Sequence, residues 1–247
     1  MEKTKRSYWL IGVLLIVLGL SLQSCNDDDD RLVSVHYTPS LWATVRIFDD
    51  AFYLDCDRWG TLWPTNVDFN ECDVVDGQRV LTSFNLYQEG YENYDYAVNL
   101  RSLKKVLTKE VEPLNLETET EYGNDSLLIY KSGLSLSGGH LNVVFLQNLP
   151  AYDQKHRISL LQDSNSIDEN GYVHLELRYN DYDDLSGRRA YGMVSFDLTS
   201  ILEGMNGVVL KFNSEMNGEV EVTLHSGDSD NQISDEESSG SSNSFLE

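Results

Sequence analysis

The chain has 247 residues, 18 of them Lys or Arg against 41 Asp or Glu, and a formal net charge of −23 at pH 7. That balance excludes nucleic acid as a partner, because displacing counterions from a phosphate backbone takes clustered Lys and Arg. It also disfavours docking on anionic lipid, and its main consequence is solubility.

The N-terminus opens with Lys3, Lys5 and Arg6, followed by an apolar run from Tyr8 to Leu22. Those 15 residues would span about 22 Å as a helix, short of the roughly 30 Å hydrocarbon core. Length and flanks together predict a removable signal over residues 1–24 rather than a spanning helix. The run ends at Leu22-Gln23-Ser24-Cys25, which resembles a lipobox with Gln23 in place of the usual small residue, and so predicts lipid on Cys25. The Asp27–Asp30 run that follows cannot join a core and predicts an acidic tether over residues 25–34. It resembles the acid-rich signal that sends lipoproteins of Bacteroidota to the outer face of the outer membrane. A periplasm-facing anchor is the alternative.

The body reads as strands. Leu41–Phe48 is rich in β-branched and aromatic residues, Asp49-Asp50 makes a turn, and 51–56 returns. Residues 57–73 read as an irregular excursion carrying Gly60 and Pro64, with Trp59, Leu62 and Trp63 in need of a place to pack. With Cys25 consumed by lipid, Cys56 and Cys72 flank this excursion as an even pair in an exported chain, which predicts a disulfide. Two free buried thiols are the alternative. Residues 78–88 alternate well after the Asp76-Gly77 turn, and 96–107 is a strand or a short helix. Pro113 and the acidic stretch 117–126 read as a linker.

Seven further strands are predicted at 127–136, 140–149, 156–162, 172–179, 191–198, 208–213 and 219–225, separated by turn pairs such as Asn170-Gly171 and Asn206-Gly207. Such spacing suggests an antiparallel β-sandwich over 127–225, so the fold class is all-β. The segment 226–247 is rich in Ser, Asp and Glu and predicts a disordered acidic tail.

Several short segments together resemble the NigD-like lipoproteins of Bacteroidota. They are Gly60-Thr61-Leu62-Trp63-Pro64, Asp76-Gly77-Gln78-Arg79-Val80, His140-Leu141-Asn142-Val143, His156 to Leu161, His174 to Asn180 and Val194-Ser195-Phe196-Asp197-Leu198. The resemblance covers about residues 35–225 and implies an OB-like barrel at 35–116, before the linker and the sandwich. The family takes its name from a bacteriocin-associated locus, and no active site comes with the resemblance.

The chemistry-bearing residues point away from catalysis. The five histidines, His36, His140, His156, His174 and His225, are scattered over separate strands, with no paired spacing that would hold a metal. Nucleophile elbow, phosphate loop and dinucleotide fingerprint are all absent, so neither a catalytic residue nor a cofactor is predicted. Tyr87, Tyr91, Tyr94 and Tyr96 crowd one stretch and form a candidate ligand surface, since tyrosine rings stack on sugars and pack on proteins. Asp125-Ser126-Leu127 resembles the short motif at which Bacteroidota attach O-glycans, which marks Ser126. The resulting expectation is a non-enzymatic surface lipoprotein that binds a protein or glycan. The alternative is a structural or accessory envelope subunit, linked to bacteriocin production or immunity.

Overall fold

Period-two alternation builds the first half. Phe52, Leu54 and Cys56 point one way from their strand, and with Val45, Leu62, Val80, Phe84 and Val98 they fill a single interior. The computed structural model describes residues 40–68, 73–115, 117, 119–152, 154–226 and 245–247. In it, β1 (Leu41–Phe48), β2 (Ala51–Cys56), β3 (Gly60–Pro64), β4 (Arg79–Tyr91) and β5 (Tyr94–Lys105) close in the order β1-β2-β3-β5-β4, with β4 pairing back to β1. The parallel β3–β5 pair that completes this ring belongs to the OB topology. The excursion expected at 57–73 therefore contains a barrel strand, β3, and the ambiguous segment 96–107 is mostly β5.

The second half is a sandwich. One sheet has the order β14-β13-β11-β10-β7 and the other β6-β12-β9-β8. These strands are β6 (Leu107–Glu110), β7 (Glu112–Pro113), β8 (Leu134–Ser137), β9 (His140–Asn148), β10 (Arg157–Ile167), β11 (Tyr172–Asn180), β12 (Arg189–Asp197), β13 (Gly207–Ser214) and β14 (Gly218–His225). Leu136, Leu141, Val143, Ile158, Leu160, Leu175, Leu177, Val194 and Phe196 fill the space between the sheets. Three pairings are parallel (β7–β10, β11–β13 and β6–β12), so the sandwich is mixed rather than wholly antiparallel.

The structure moves the expected domain boundary. Residues 107–113, assigned by sequence to the barrel half, supply β6 and β7, one to each sandwich sheet. Of the segment 117–126 expected as a linker, α1 (Glu119–Tyr122) docks on the sandwich: Asn180 Nδ2 donates to the Glu121 carbonyl and Arg178 meets Glu119. The actual connection is one buried residue, Val106, between β5 and β6. Val106 packs with Trp42 and Leu81 of the barrel and Val144 and Met193 of the sandwich.

A buried polar clamp crosses the same joint. Arg79, fully buried, pairs bidentately with Asp57 at 2.8 and 2.7 Å and also donates to Thr44 Oγ1 and to Asn142 Oδ1 of the sandwich. Ser137 donates to Asp57 at 2.6 Å, and Ser195 donates to Asn142 at 2.7 Å. The Arg79 guanidinium also lies 5.7 Å from the Trp42 ring centre. Gly138 (φ +57°) is pressed against the pair, and a Cβ there would stand 2.4 Å from Asp57 Oδ1.

Two further expectations change. Cys56 is a free thiol, 2% exposed, because its side chain lies on the inward face of β2. The expected bridge to Cys72 is not seen from the Cys56 side, and Cys72 lies outside the described residues. The tail expected to be disordered over 226–247 has a docked part. Phe245 and Glu247 hydrogen-bond with His156, and Leu246 is 2% exposed in the sandwich core. Residues 227–244 lie outside the described part, as do the predicted signal, Cys25 and the whole acidic tether.

Candidate functional site

The outward positions of β2, β3 and the β4–β5 hairpin carry aromatic rings. Leu54 pairs with Leu62 inside the barrel, so Tyr53 and Trp63 are brought together on its outer face. The hairpin turns through Glu92 and Asn93, which puts Tyr91 opposite Tyr94. Glu92 has φ 53°, a left-handed conformation uncommon for a side-chain-bearing residue, so the turn is held by the strands it joins. The rings meet in a chain: Tyr53 and Tyr94 at 5.2 Å, Tyr94 and Trp63 at 4.8 Å, and Trp63 and Tyr91 stacked at 6.4 Å. All four are half-buried, presenting edge and face to solvent.

A carboxylate fixes this surface. Asp95 accepts from the Thr61 N–H at 2.7 Å and from its hydroxyl at 2.8 Å, tying β5 to β3. Those Thr61 donors, the backbone N–H first, hold the Asp95 carboxyl below the usual range. Gly60 (φ +71°) is required beside it, since a Cβ would stand 2.4 Å from Asp95 Oδ2. Partial burial pushes the Tyr94 phenol up, with Tyr53 and Glu92 adding to the effect, so its hydroxyl remains a donor.

Next to the rings is a hollow of about 460 Å³ lined by Asp50, Phe52, Trp63, Thr65, Asn66 and Asp68, among others. Phe48, paired with the hollow-lining Ala51, is 64% exposed at the β1–β2 turn. Rings, carboxylates, amide and hydroxyl thus converge on the β2–β3 face and its neighbouring turns, which is where OB barrels take oligomeric ligands. Of the tyrosines expected to form a ligand surface, Tyr91 and Tyr94 belong to this platform. Tyr96 does not: it turns inward onto Trp59 at 5.2 Å and packs against the barrel core. Tyr87 is 65% exposed on β4 and makes no ring contact among the described residues. Tyr53 and Trp63 were missed by the sequence, although their outward register was readable once β3 was recognised.

A slightly larger hollow, about 490 Å³, lies on the outer face of the β10–β14 sheet, with His174, Glu176, Lys211, Glu221 and Asp168 in its lining. Part of its charge is paired internally: His174 meets Asp168 at 3.1 Å and Lys211 lies within 3.7 Å of Glu176. No aromatic ring lines it, so we read it as a solvated sheet face. Among the described residues no group of three or more His, Cys, Asp or Glu could hold a metal ion, and no helix is long and apolar enough to cross a membrane. Ser126 is exposed, immediately before the buried Leu127.

An OB barrel joined through a buried clamp to a β-sandwich defines the class of protein. Residues 42–106 match the NigD-like N-terminal OB domain and residues 110–226 match the NigD-like C-terminal beta sandwich domain. The chain belongs to the NigD-like family. A protein of unknown function from Bacteroides vulgatus is similar at 25% identity and TM-score 0.73, over 83% of this chain and 100% of that one. A NigD-like immunity protein from Bacteroides caccae shares the fold at 15% identity and TM-score 0.54, over 76% and 92%. A candidate lipoprotein from Bacteroides fragilis does so at 10% identity and TM-score 0.55, over 76% and 97%. No curated protein matches the chain.

Proposed function

We propose that this chain is a non-catalytic binding module, anchored in the outer membrane by lipid on Cys25 and facing the cell exterior, which engages a glycan on the outer face of its barrel. The observation that carries the reading is the Tyr53–Tyr94–Trp63–Tyr91 ring chain beside a hollow rimmed by Asp, Asn and Thr. Flat rings stack on sugar faces while carboxylates and amides accept and donate to hydroxyls. The net charge of −23 removes oligonucleotides, the other customary OB ligands. The likeness to a candidate lipoprotein supports the anchor, and the exposure of Ser126 leaves it open to O-glycosylation. A second reading, a protein partner in bacteriocin immunity, draws on the likeness to the NigD-like immunity protein.

The binding test is tryptophan fluorescence of the full chain against a panel of soluble polysaccharides. At least one should shift the emission, and Trp63→Ala should lose the response. Truncating a central ring is expected to cost about 2 kcal/mol, roughly thirtyfold in affinity. A panel without any response, alongside capture of a secreted protein that Trp63→Ala abolishes, would transfer the site to the second reading. The anchor is tested separately: Cys25→Ala should abolish fatty-acid labelling, and persistent labelling would remove the lipid from the proposal.

A further inference from the structure

The sandwich holds a strand-accepting notch. On the side of β10 away from β11, β7 covers only Leu161 and Gln162. The stretch before it, His156–Ile158, is covered by Phe245–Glu247 in parallel register. His156 N–H donates to the Phe245 carbonyl at 2.9 Å, Glu247 N–H to the His156 carbonyl at 3.0 Å, and Ile158 N–H to the Glu247 carbonyl at 3.0 Å. Leu246 drops its side chain among the residues of the sandwich core. Two cations flank the notch. Lys109 Nζ donates to the Ile158 carbonyl at 2.9 Å and senses the Glu247 charge, and Arg157 pairs with Glu112 at 2.9 Å.

Backbone pairing that gives affinity, one apolar socket and an adjacent cation are the parts of a β-augmentation site. We propose that the His156–Ile158 edge is a peptide-binding site for an extended strand in which an apolar residue is followed by a carboxylate, and that Phe245–Leu246–Glu247 occupies it in cis. The occupant reaches the site through residues 227–244, 18 positions that include one large apolar residue, Ile233. Tethering of this kind holds a strand at roughly millimolar effective concentration. A probe of ~100 µM affinity is then weakened about tenfold by the resident strand. The site is separate from the barrel face, so it stands or falls independently of the glycan reading.

The test uses a fluorescent peptide Ser-Asn-Ser-Phe-Leu-Glu and the full chain, read by anisotropy. Leu246→Asp, which expels the resident strand, should bind the peptide about tenfold more tightly than the wild type, and a peptide with Asp in place of Leu should bind neither. Glu247→Pro, which removes the N–H bonded to the His156 carbonyl together with the Glu247 carboxylate, carries the same comparison with a smaller gain if Leu246→Asp does not fold. Equal binding to wild type and variants, or no binding to any of them, overturns the proposal. A wild-type dimer that both variants dissolve would place a second copy's strand in the notch and overturn occupation in cis.

Discussion

Arg79 shows how one residue couples two domains. Its guanidinium is buried without solvent, and it is tolerable because Asp57, Thr44 and Asn142 occupy the donors of both terminal nitrogens, while the buried Nε has no hydrogen-bond partner among the described residues. Removing one partner leaves the other charge stranded, and Asp57→Ala should destabilise the chain by about 3–5 kcal/mol in denaturant melts. A loss under about 1 kcal/mol would mean water replaces the carboxylate. His140 adds a pH dependence. Burial, and then the nearby Arg79 charge, hold its imidazole below the ordinary 6.5, while Nδ1 donates to the Gly138 carbonyl at 2.7 Å. The folded chain resists protonation that the unfolded chain accepts. Its contribution is therefore complete above about pH 6.5 and is lost on acidification through the lower folded value. Melting temperature should fall between about pH 7 and pH 5, and His140→Gln should flatten that slope. The resemblance segments containing Arg79, Asn142 and Ser195 were visible in the sequence. Their meeting at one point was not, because 63 positions separate Arg79 from Asn142 and 53 separate Asn142 from Ser195.

Elements with clean alternation were legible, and those with interrupted patterns were not. β2 and β11 follow the expected bounds closely because each has one buried and one wetter face, β14 because half-buried and exposed positions alternate, and β1 because its β-branched and aromatic run ends at the Asp49-Asp50 turn, although its first five residues are all buried. β3 was hidden because Gly60 and Pro64 bracket only three ordinary residues, a composition that reads as loop. β6 and β7 were hidden because their pairing is parallel and non-local, leaving no hairpin signature. The cysteine pair misled for a related reason: spacing and compartment suggested a bridge, while the period of β2 aims Cys56 inward. Burial pushes the Cys56 thiol up, which further lowers its reactivity. Native protein should therefore protect Cys56 from iodoacetamide, with full labelling only after unfolding, as read by peptide mass mapping. Rapid native labelling of Cys56 would contradict its place in the core.

At the scale of the molecule, barrel and sandwich share a joint made of one buried residue, an apolar cluster and a charged clamp. No flexible hinge separates them, so calorimetry should show one cooperative transition, and Gly138→Ala should lower it as a whole. Two separable transitions would mean the joint contributes little. None of the joint residues belongs to the Tyr53–Tyr94–Trp63–Tyr91 ring chain, and that surface is the centre of the functional account. Its most direct test is affinity electrophoresis of the full chain in gels containing soluble polysaccharides, wild type beside Trp63→Ala/Tyr94→Ala. The account predicts retardation of the wild type in at least one gel and free migration of the double variant, with matching circular dichroism. Equal retardation of both proteins, or of neither in any gel, would contradict it.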